Sequence, residues 1–285
     1  MSRALSQITI EALFLAACRA ELKALKPGNV HIHGPGHGME IRHFEDAALA
    51  AAPFIADPAL TIGARILKAT EASFAATGLN TNLGIVLLCV PLGQAAAETS
   101  ADMGLRRRLA LILSTLTVDD ARDAFRAIEI ANPAGLGQVA NGDVRQVPAI
   151  TLIQAMHLAA NRDRIANAYV SAYSDIFDFA LPALEQARKS AATSDLAVTS
   201  LHMALMAEFP DSHIARKYGE DHAAAVQQEA RNLGPSWHPA ATASSLPELA
   251  KFDQNLKARG FNPGTTADFV VATLFAEAIS AQKLS

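Results

Sequence analysis

Three places in the chain set amides, hydroxyls or acids where a helical pattern begins, and a fourth gathers a lysine and histidines in a loop. The first is Gly78-Leu79-Asn80-Thr81-Asn82-Leu83-Gly84, between an alanine-rich pattern over 61–76 and the apolar run Ile85–Leu92. The second is Asp211-Ser212-His213-Ile214-Ala215-Arg216-Lys217, and the third Pro263-Gly264-Thr265-Thr266-Ala267-Asp268. The fourth, Lys26–Met39, carries Lys26, Asn29, His31, His33 and His37 among glycines and prolines. Backbone N–H groups at a helix start have no intrahelical partner, so with neighbouring hydroxyls and amides they suit a phosphate. Read as opening one long helix, His213, Arg216 and Lys217 sit where the macrodipole disfavours cations, and an anionic ligand would compensate them. Bundled together, the four stretches would build one polar pocket between helices. Taken singly, each has a plainer reading: Gly78 as a C-cap, Asp211 or Ser212 as an N-cap, Asp268 as a first-turn acid. His31, His33, His37 and His43 also invite a zinc or iron site. Glu40, Glu45 and Asp46 are only loosely placed beside them, and histidines that bind phosphate or cap a pocket fit better.

The elements that must position these groups are helices. Apolar spacing predicts helices over 8–25, 43–52 (stopped by Pro53), 61–76, the central apolar run, and 106–113 with a triple-arginine polar side. Thr117-Val118-Asp119-Asp120 resembles a capping box with Asp in place of Glu and opens a helix to about Ala131, ended by Asn132-Pro133. A second loop rich in glycine and proline covers 132–148. Beyond it come 163–189 (one helix, or a pair meeting near Pro182), 195–208, 212–231, 246–258 and 266–279. No run of β-branched residues alternates with period two. The expectation is an all-α, single-domain multi-helix bundle over 1–285.

Composition narrows the function classes. With 285 residues, 51% hydrophobic and 18% charged, the chain can bury a large core and is not disordered. Its net charge of −4 and the lack of a basic block with interleaved aromatics argue against nucleic acid as a partner. The apolar run is too short to span a membrane, which takes about 20 residues, and the N-terminus lacks a signal-peptide pattern. Cys18 and Cys89 read as buried free thiols, and the location expected is cytoplasmic. There is no P-loop, strand-borne GxGxxG, GxSxG, HExxH or CxxC.

The ordered series Lys26-Pro27-Gly28-Asn29-Val30, Gly36-His37-Gly38-Met39, Gly78–Gly84, Asp211-Ser212-His213-Ile214 and Pro263–Asp268 resembles the triphosphoribosyl-dephospho-CoA synthase family over nearly the whole chain. The resemblance implies an all-α transferase that moves the triphosphoribosyl part of ATP onto a hydroxyl of 3′-dephospho-CoA and releases adenine. It implies Mg²⁺ with ATP, small-molecule substrates, and an assembly that could be a homo-oligomer. Displacing a base from ribose passes through an oxocarbenium-like state that carboxylates stabilise. On that basis Asp211 and Asp268 are assigned as catalytic acids and metal ligands, with Glu71 a weaker candidate. Lys26, His37, Arg216 and Lys217 would hold phosphates. Asn80, Thr81 and Asn82 would orient ribose or phosphate, and Asn29, His31, Ser212, Gly264 and Thr265 would complete the binding set.

The chain departs from the typical family run Gly-Val-Asn-Thr-His-Lys-Gly, with Asn82 and Leu83 at the His and Lys positions. It is similar in this to a branch in archaea and in one-carbon-metabolising bacteria that use tetrahydromethanopterin. Two alternatives therefore stand beside the parent reaction: phosphoribosyl transfer in tetrahydromethanopterin-type coenzyme biosynthesis, and a non-catalytic nucleotide- or coenzyme-binding scaffold.

Overall fold

The structure, a computed structural model, describes residues 4–98, 103–133 and 144–282. Among them every regular element is helical. In chain order these are α1 (Gln7–Lys23), α2 (Ile41–Ile55), α3 (Ile62–Thr77), α4 (Leu83–Ala97), α5 (Leu105–Ser114), α6 (Val118–Ala131), α7 (Leu152–Ala159) and α8 (Arg164–Val170). A π-helical turn, Asp175–Ala180, leads into α9 (Leu181–Ser190), α10 (Ser194–Glu208), α11 (Ser212–Tyr218) and α12 (Glu220–Asn232). The chain ends with α13 (Gly234–Trp237), α14 (Leu246–Ala258) and α15 (Gly264–Ala281). The residues fall into two compact units, one of 1–17, 43–174 and 274–285 and one of 18–42 and 175–273.

The first unit is organised around α4, which buries residues on all sides, as its uniformly apolar sequence requires. Pro91 lies inside it and has no N–H, so the carbonyl of Leu87, four residues back, loses its helical donor. The Tyr169 hydroxyl donates to that carbonyl at 2.7 Å, and the Tyr173 hydroxyl donates to Leu88 O at 3.1 Å. Both rings are buried. To place the second one, the chain leaves α8 through Ala172 and Tyr173 at φ 48° and 59°. The break in 163–189 therefore falls at 171–174, and Pro182 merely opens α9. Helix α3 crosses α6 closely: a Cβ on Gly63 would lie 2.4 Å from Asp120 Cα. Asp120 completes the capping box with Thr117 through Oδ2 and accepts Gly63 N–H at Oδ1, 2.8 Å away.

Two local expectations are corrected here. Helix α2 runs through Pro53 to Ile55. The triple-arginine side of α5 is not all polar surface, because Arg108 is buried and donates to Ala95 O and Met103 O, both at 2.7 Å.

In the second unit α10 is the buried centre, packed by α9, α12 and α13. Met203, Met206, Ile214, Val226, Leu249, Phe252, Leu256 and Phe261 form its apolar core. The expected helix over 212–231 is interrupted at Gly219, at φ 99°, into α11 and α12. Cys18 and Cys89 are free and buried. No helix among the described residues is long and apolar enough to cross a membrane.

Candidate active site

The second unit brings together three of the four polar stretches. Asp211 is the N-cap of α11: its Oδ1 accepts from His213 N (2.8 Å) and Ile214 N (3.1 Å). Its Oδ2 accepts from Thr266 N and Thr266 Oγ1, both at 2.8 Å, so one buried carboxylate joins the first turns of α11 and α15. Because α11 ends at Tyr218, Arg216 and Lys217 occupy its last turn. The dipole favours cations there, so the argument that they open a helix against it does not hold. His213 packs against Gly264, where a Cβ would lie 2.8 Å from its Nδ1. Burial, then Arg216, Lys217 and His37, push the His213 pKa down against the pull of Asp211. His37 is likewise lowered, by burial first, with Lys217 and Lys257 adding to it. His37, His213 and Lys217 thus lie within electrostatic reach of one another.

The loop 26–39 makes two tight turns, His31–Gly34 and Gly36–Met39. Lys26 is fully buried, its ammonium held by Glu21 and by Asn29 Oδ1 at 2.9 Å. Burial pushes Lys26 down and Glu21 up, each opposed by the other's charge, and Asp268 also raises Lys26. Asn29 Nδ2 donates to Asn262 Oδ1 at 2.8 Å, tying the loop to the turn before α15. Gly28 N–H donates to Asp253 Oδ1 at 2.8 Å, and Asp253 Oδ2 meets Lys257 Nζ at 3.0 Å and His31 Nε2 at 3.3 Å. The His33 N–H donates to His31 Nδ1 at 3.1 Å, so the neutral ring carries its proton on Nε2, which lies 3.3 Å from both Asp253 Oδ2 and Lys257 Nζ. His37 Nε2 bonds Gly28 O at 2.8 Å. His202, fully buried, bonds Pro27 O through Nε2 at 3.2 Å, and burial lowers its pKa to about 3.

The histidines are spent on the loop itself. Both His31 nitrogens and His37 Nε2 are committed, and His33 is exposed. No group of three or more His, Cys, Asp or Glu among the described residues is placed to hold a metal. Asp211 does not fit a cation either, since both its oxygens already accept two hydrogen bonds. Asp268 stands half-buried on the first turns of α15.

Asn80, Thr81, Asn82 and Glu71 lie in the first unit. Gly78 is a left-handed C-cap of α3, at φ 67°. Asn80 is exposed, with Oδ1 accepting from Leu83 N at 3.4 Å. Asn82 precedes α4 without a side-chain cap bond, because its amide turns back to donate to Ser73 Oγ at 3.0 Å. The Thr81 hydroxyl is buried without a partner. Glu71 is exposed on α3. Ser212 and Thr265 are buried in the second unit beside Asp211 and Thr266 in the chain.

Sequence reasoning missed Glu21, His202, Asp253 and Lys257, and gave Asn262 and Thr266 no individual role. Asp253 and Lys257 are an i,i+4 pair on α14, the one signal that could have drawn notice. A cavity of about 710 Å³ also opens in this unit, lined by Phe179, Glu208, Arg231 and Trp237 together with Ser200 and Ala204 of α10. At about 100° per residue, Ser200 and Ala204 face away from His202, so this cavity lies across α10 from the loop.

These segments form one polar, all-helical site from the 26–39 loop, α11, α14 and α15. The model of the CitG family, ATP:dephospho-CoA triphosphoribosyl transferase, matches residues 7–285, and the chain belongs to that family. A Pectobacterium carotovorum protein assigned as 2-(5''-triphosphoribosyl)-3'-dephosphocoenzyme-A synthase is 34% identical over 105 residues, 36% of this chain and 32% of that protein. The synthase of that name from Pectobacterium atrosepticum is 33% identical over the same shares. The match therefore spans about a third of the length of these relatives. A crystal structure from Archaeoglobus fulgidus, assigned to triphosphoribosyl-dephospho-CoA synthase, shares the fold with a TM-score of 0.62 at 21% identity. It covers 82% of this chain and 97% of that one.

Proposed function

We propose that the chain transfers the triphosphoribosyl group of ATP to a hydroxyl of 3′-dephospho-CoA or a related coenzyme precursor, releasing adenine. The observation that supports this best is the junction at Asp211, where segments 55 residues apart share one carboxylate beside the His37 and His213 imidazoles and the Lys217 ammonium. In the reaction the bond from ribose C1 to adenine breaks, and its electron pair leaves with the base, which takes up a proton. The acceptor oxygen bonds to C1 and gives up its proton. Positive charge develops at C1 in between, and a nearby carboxylate stabilises it or takes the proton.

Asp268 is the residue we assign to that part, being half-buried and close enough to act on the charge of Lys26. Asp211 is assigned to the framework. His37, His213, Arg216 and Lys217 are assigned to the phosphates, and Mg²⁺ would enter as the companion of ATP, with Asp268 assigned as the carboxylate that would meet it.

The test is chromatography of adenine and mass spectrometry of the adduct after incubation with ATP, Mg²⁺ and 3′-dephospho-CoA. Equal amounts of adenine and adduct are expected. A second reading, a different ribosyl acceptor as in tetrahydromethanopterin-type biosynthesis, is favoured by Asn82, which packs on Ser73 where the typical run carries histidine. Adenine release with a methanopterin precursor and not with dephospho-CoA would select it. ATP binding with no adenine release from either acceptor would leave the scaffold reading.

A further inference from the structure

We propose that Asp253 is a positioning residue: its carboxylate fixes the Gly28 peptide and the His31 ring, and so sets the geometry of the loop that carries Lys26, Asn29 and His37. Three successive backbone groups of this loop are each held by a side chain. Pro27 O is held by His202, Gly28 N–H by Asp253 and Gly28 O by His37. Asp253 is the acid of the three, and a hydrogen bond to an ionised acceptor is about twice as strong as one between neutral groups.

The Gly28 peptide has little room to turn elsewhere. Its φ is +83°, a value that side chains disfavour, and a Cβ would lie 2.7 Å from Pro263 Cδ and 2.9 Å from Leu256 Cδ1. The loop therefore sits directly on α14 and the turn before α15, with the N–H aimed at Asp253. The second carboxylate oxygen orders the next turn, accepting from Lys257 Nζ and from His31 Nε2–H. Lys257 in turn donates to Gly34 O at 3.2 Å. Burial pushes the Asp253 pKa up, and the bonds from His31, Lys257 and Gly28 outweigh it and bring it down. With its oxygens occupied in this way, Asp253 is not placed to take a substrate proton. It acts through the loop.

The kinetic consequence rests on the transferase reading; the structural consequence does not. Asp253→Asn is nearly isosteric and can keep the Gly28 bond through its carbonyl, but it turns an NH₂ group toward Lys257 Nζ and His31 Nε2–H. His31 must then move its proton or swing away from the substituted amide, which ¹⁵N NMR of the ring reads as a change from the Nε2–H pattern. Asp253→Ala also removes the Gly28 acceptor, and hydrogen exchange of the 26–31 segment should quicken at least about tenfold. Turnover in both variants should fall about ten- to a hundredfold with KM for ATP changed less than about threefold, the scale expected when reacting groups are displaced by about 1 Å.

Unchanged His31 signals in Asp253→Asn would overturn the proposal, and so would wild-type turnover in that variant despite altered signals. If Asp253→Ala does not fold, the Asn variant carries both readouts. If the wild-type chain itself releases no adenine, the transferase reading fails, and the NMR and exchange results alone decide whether Asp253 sets the loop.

Discussion

Asp211→Asn separates a framework carboxylate from a chemical one. As a helix cap alone, Asn serves about as well as Asp, and the loss would be a few tenths of a kcal/mol. The structure adds a second duty, because Oδ2 accepts both Thr266 N–H and Thr266 Oγ1–H at 2.8 Å in a residue that is 2% exposed. Asparagine has one carbonyl oxygen, so it can keep the cap bonds or the Thr266 bonds but not both sets. Hydrogen bonds to a charged acceptor contribute about 1.5–3 kcal/mol each. The Thr266 hydroxyl can rotate to another acceptor, while its N–H cannot. The expected loss is therefore roughly 2–4 kcal/mol, a large share of the 5–15 kcal/mol typical of a folded protein. Urea denaturation followed by circular dichroism should show a midpoint lowered by about 1–2 M for an m-value near 2 kcal/mol/M. In a double-mutant cycle with Thr266→Val, the combined loss should be smaller than the sum of the two single losses, because both remove the same bond. An Asp211→Asn protein that unfolds at the wild-type midpoint yet loses turnover a hundredfold would refute this reasoning and move Asp211 into the chemistry.

Asp268→Asn should lower adenine release by about a hundredfold, the usual scale for a lost acid–base or electrostatic group, when initial rates are compared with wild type. Lys217→Ala should weaken ATP binding by calorimetry, with the larger effect at low salt, where an exposed charge is least screened; equal losses at low and high salt would argue against a phosphate contact. Tyr169→Phe should cost about 1–3 kcal/mol in denaturant unfolding, because buried Leu87 O then keeps only the long 3.5 Å contact from the Tyr173 hydroxyl. His202 titrates near 3 in the folded chain against an ordinary value near 6.5. The unfolded chain therefore takes up the proton first as pH falls. Its share of stability is full above about pH 6.5 and is lost toward pH 3, at up to about 1.4 kcal/mol per pH unit. His202→Gln should flatten that slope in urea midpoints taken at pH 7, 6 and 5.

Much of the fold could be read from the sequence because its signals are local. Thr61 caps α3, Gly78 closes it, and Thr117 with Asp120 opens α6, each through bonds spanning at most four residues. The break at 171–174 could not be read, since Ala172 and Tyr173 take positive φ where the chain sets hydroxyl donors against α4 carbonyls far away in sequence. Arg108 looked like surface for a similar reason: the carbonyls that bury it, Ala95 and Met103, come from the end of α4 and the approach to α5. At the candidate site the residue types were legible and their duties were not. His31, Asn29 and Asp211 carry polar groups suited to a ligand, yet each is met by a partner distant in sequence: Asp253, Asn262 and Thr266.

That distinction bears on which cations can meet a polyphosphate. Lys26 heads the first motif, but its ammonium is buried against Glu21. Swinging it out to a ligand would leave that carboxylate buried and uncompensated, and an unpaired buried charge costs several kcal/mol. An exposed phosphate contact would not return that amount, because exposed ion pairs contribute about 0–1 kcal/mol. Lys26 is better used where it stands, holding Asn29 Oδ1 while Asn29 Nδ2 holds Asn262, so that one buried charge fixes the loop to the turn that opens α15. The charge offered to phosphates must then come from the outer groups. Lys217 is exposed, and His213 and His37 lie within its field. Burial first, and the Lys217 charge with it, lowers both of their pKa values. A bound phosphate reverses the sign of that field, so ligand binding should draw protons onto both imidazoles. Calorimetry of ATP binding in buffers of different ionisation enthalpy should therefore show net proton uptake near pH 7, and no uptake would mean that these two histidines do not face the phosphates.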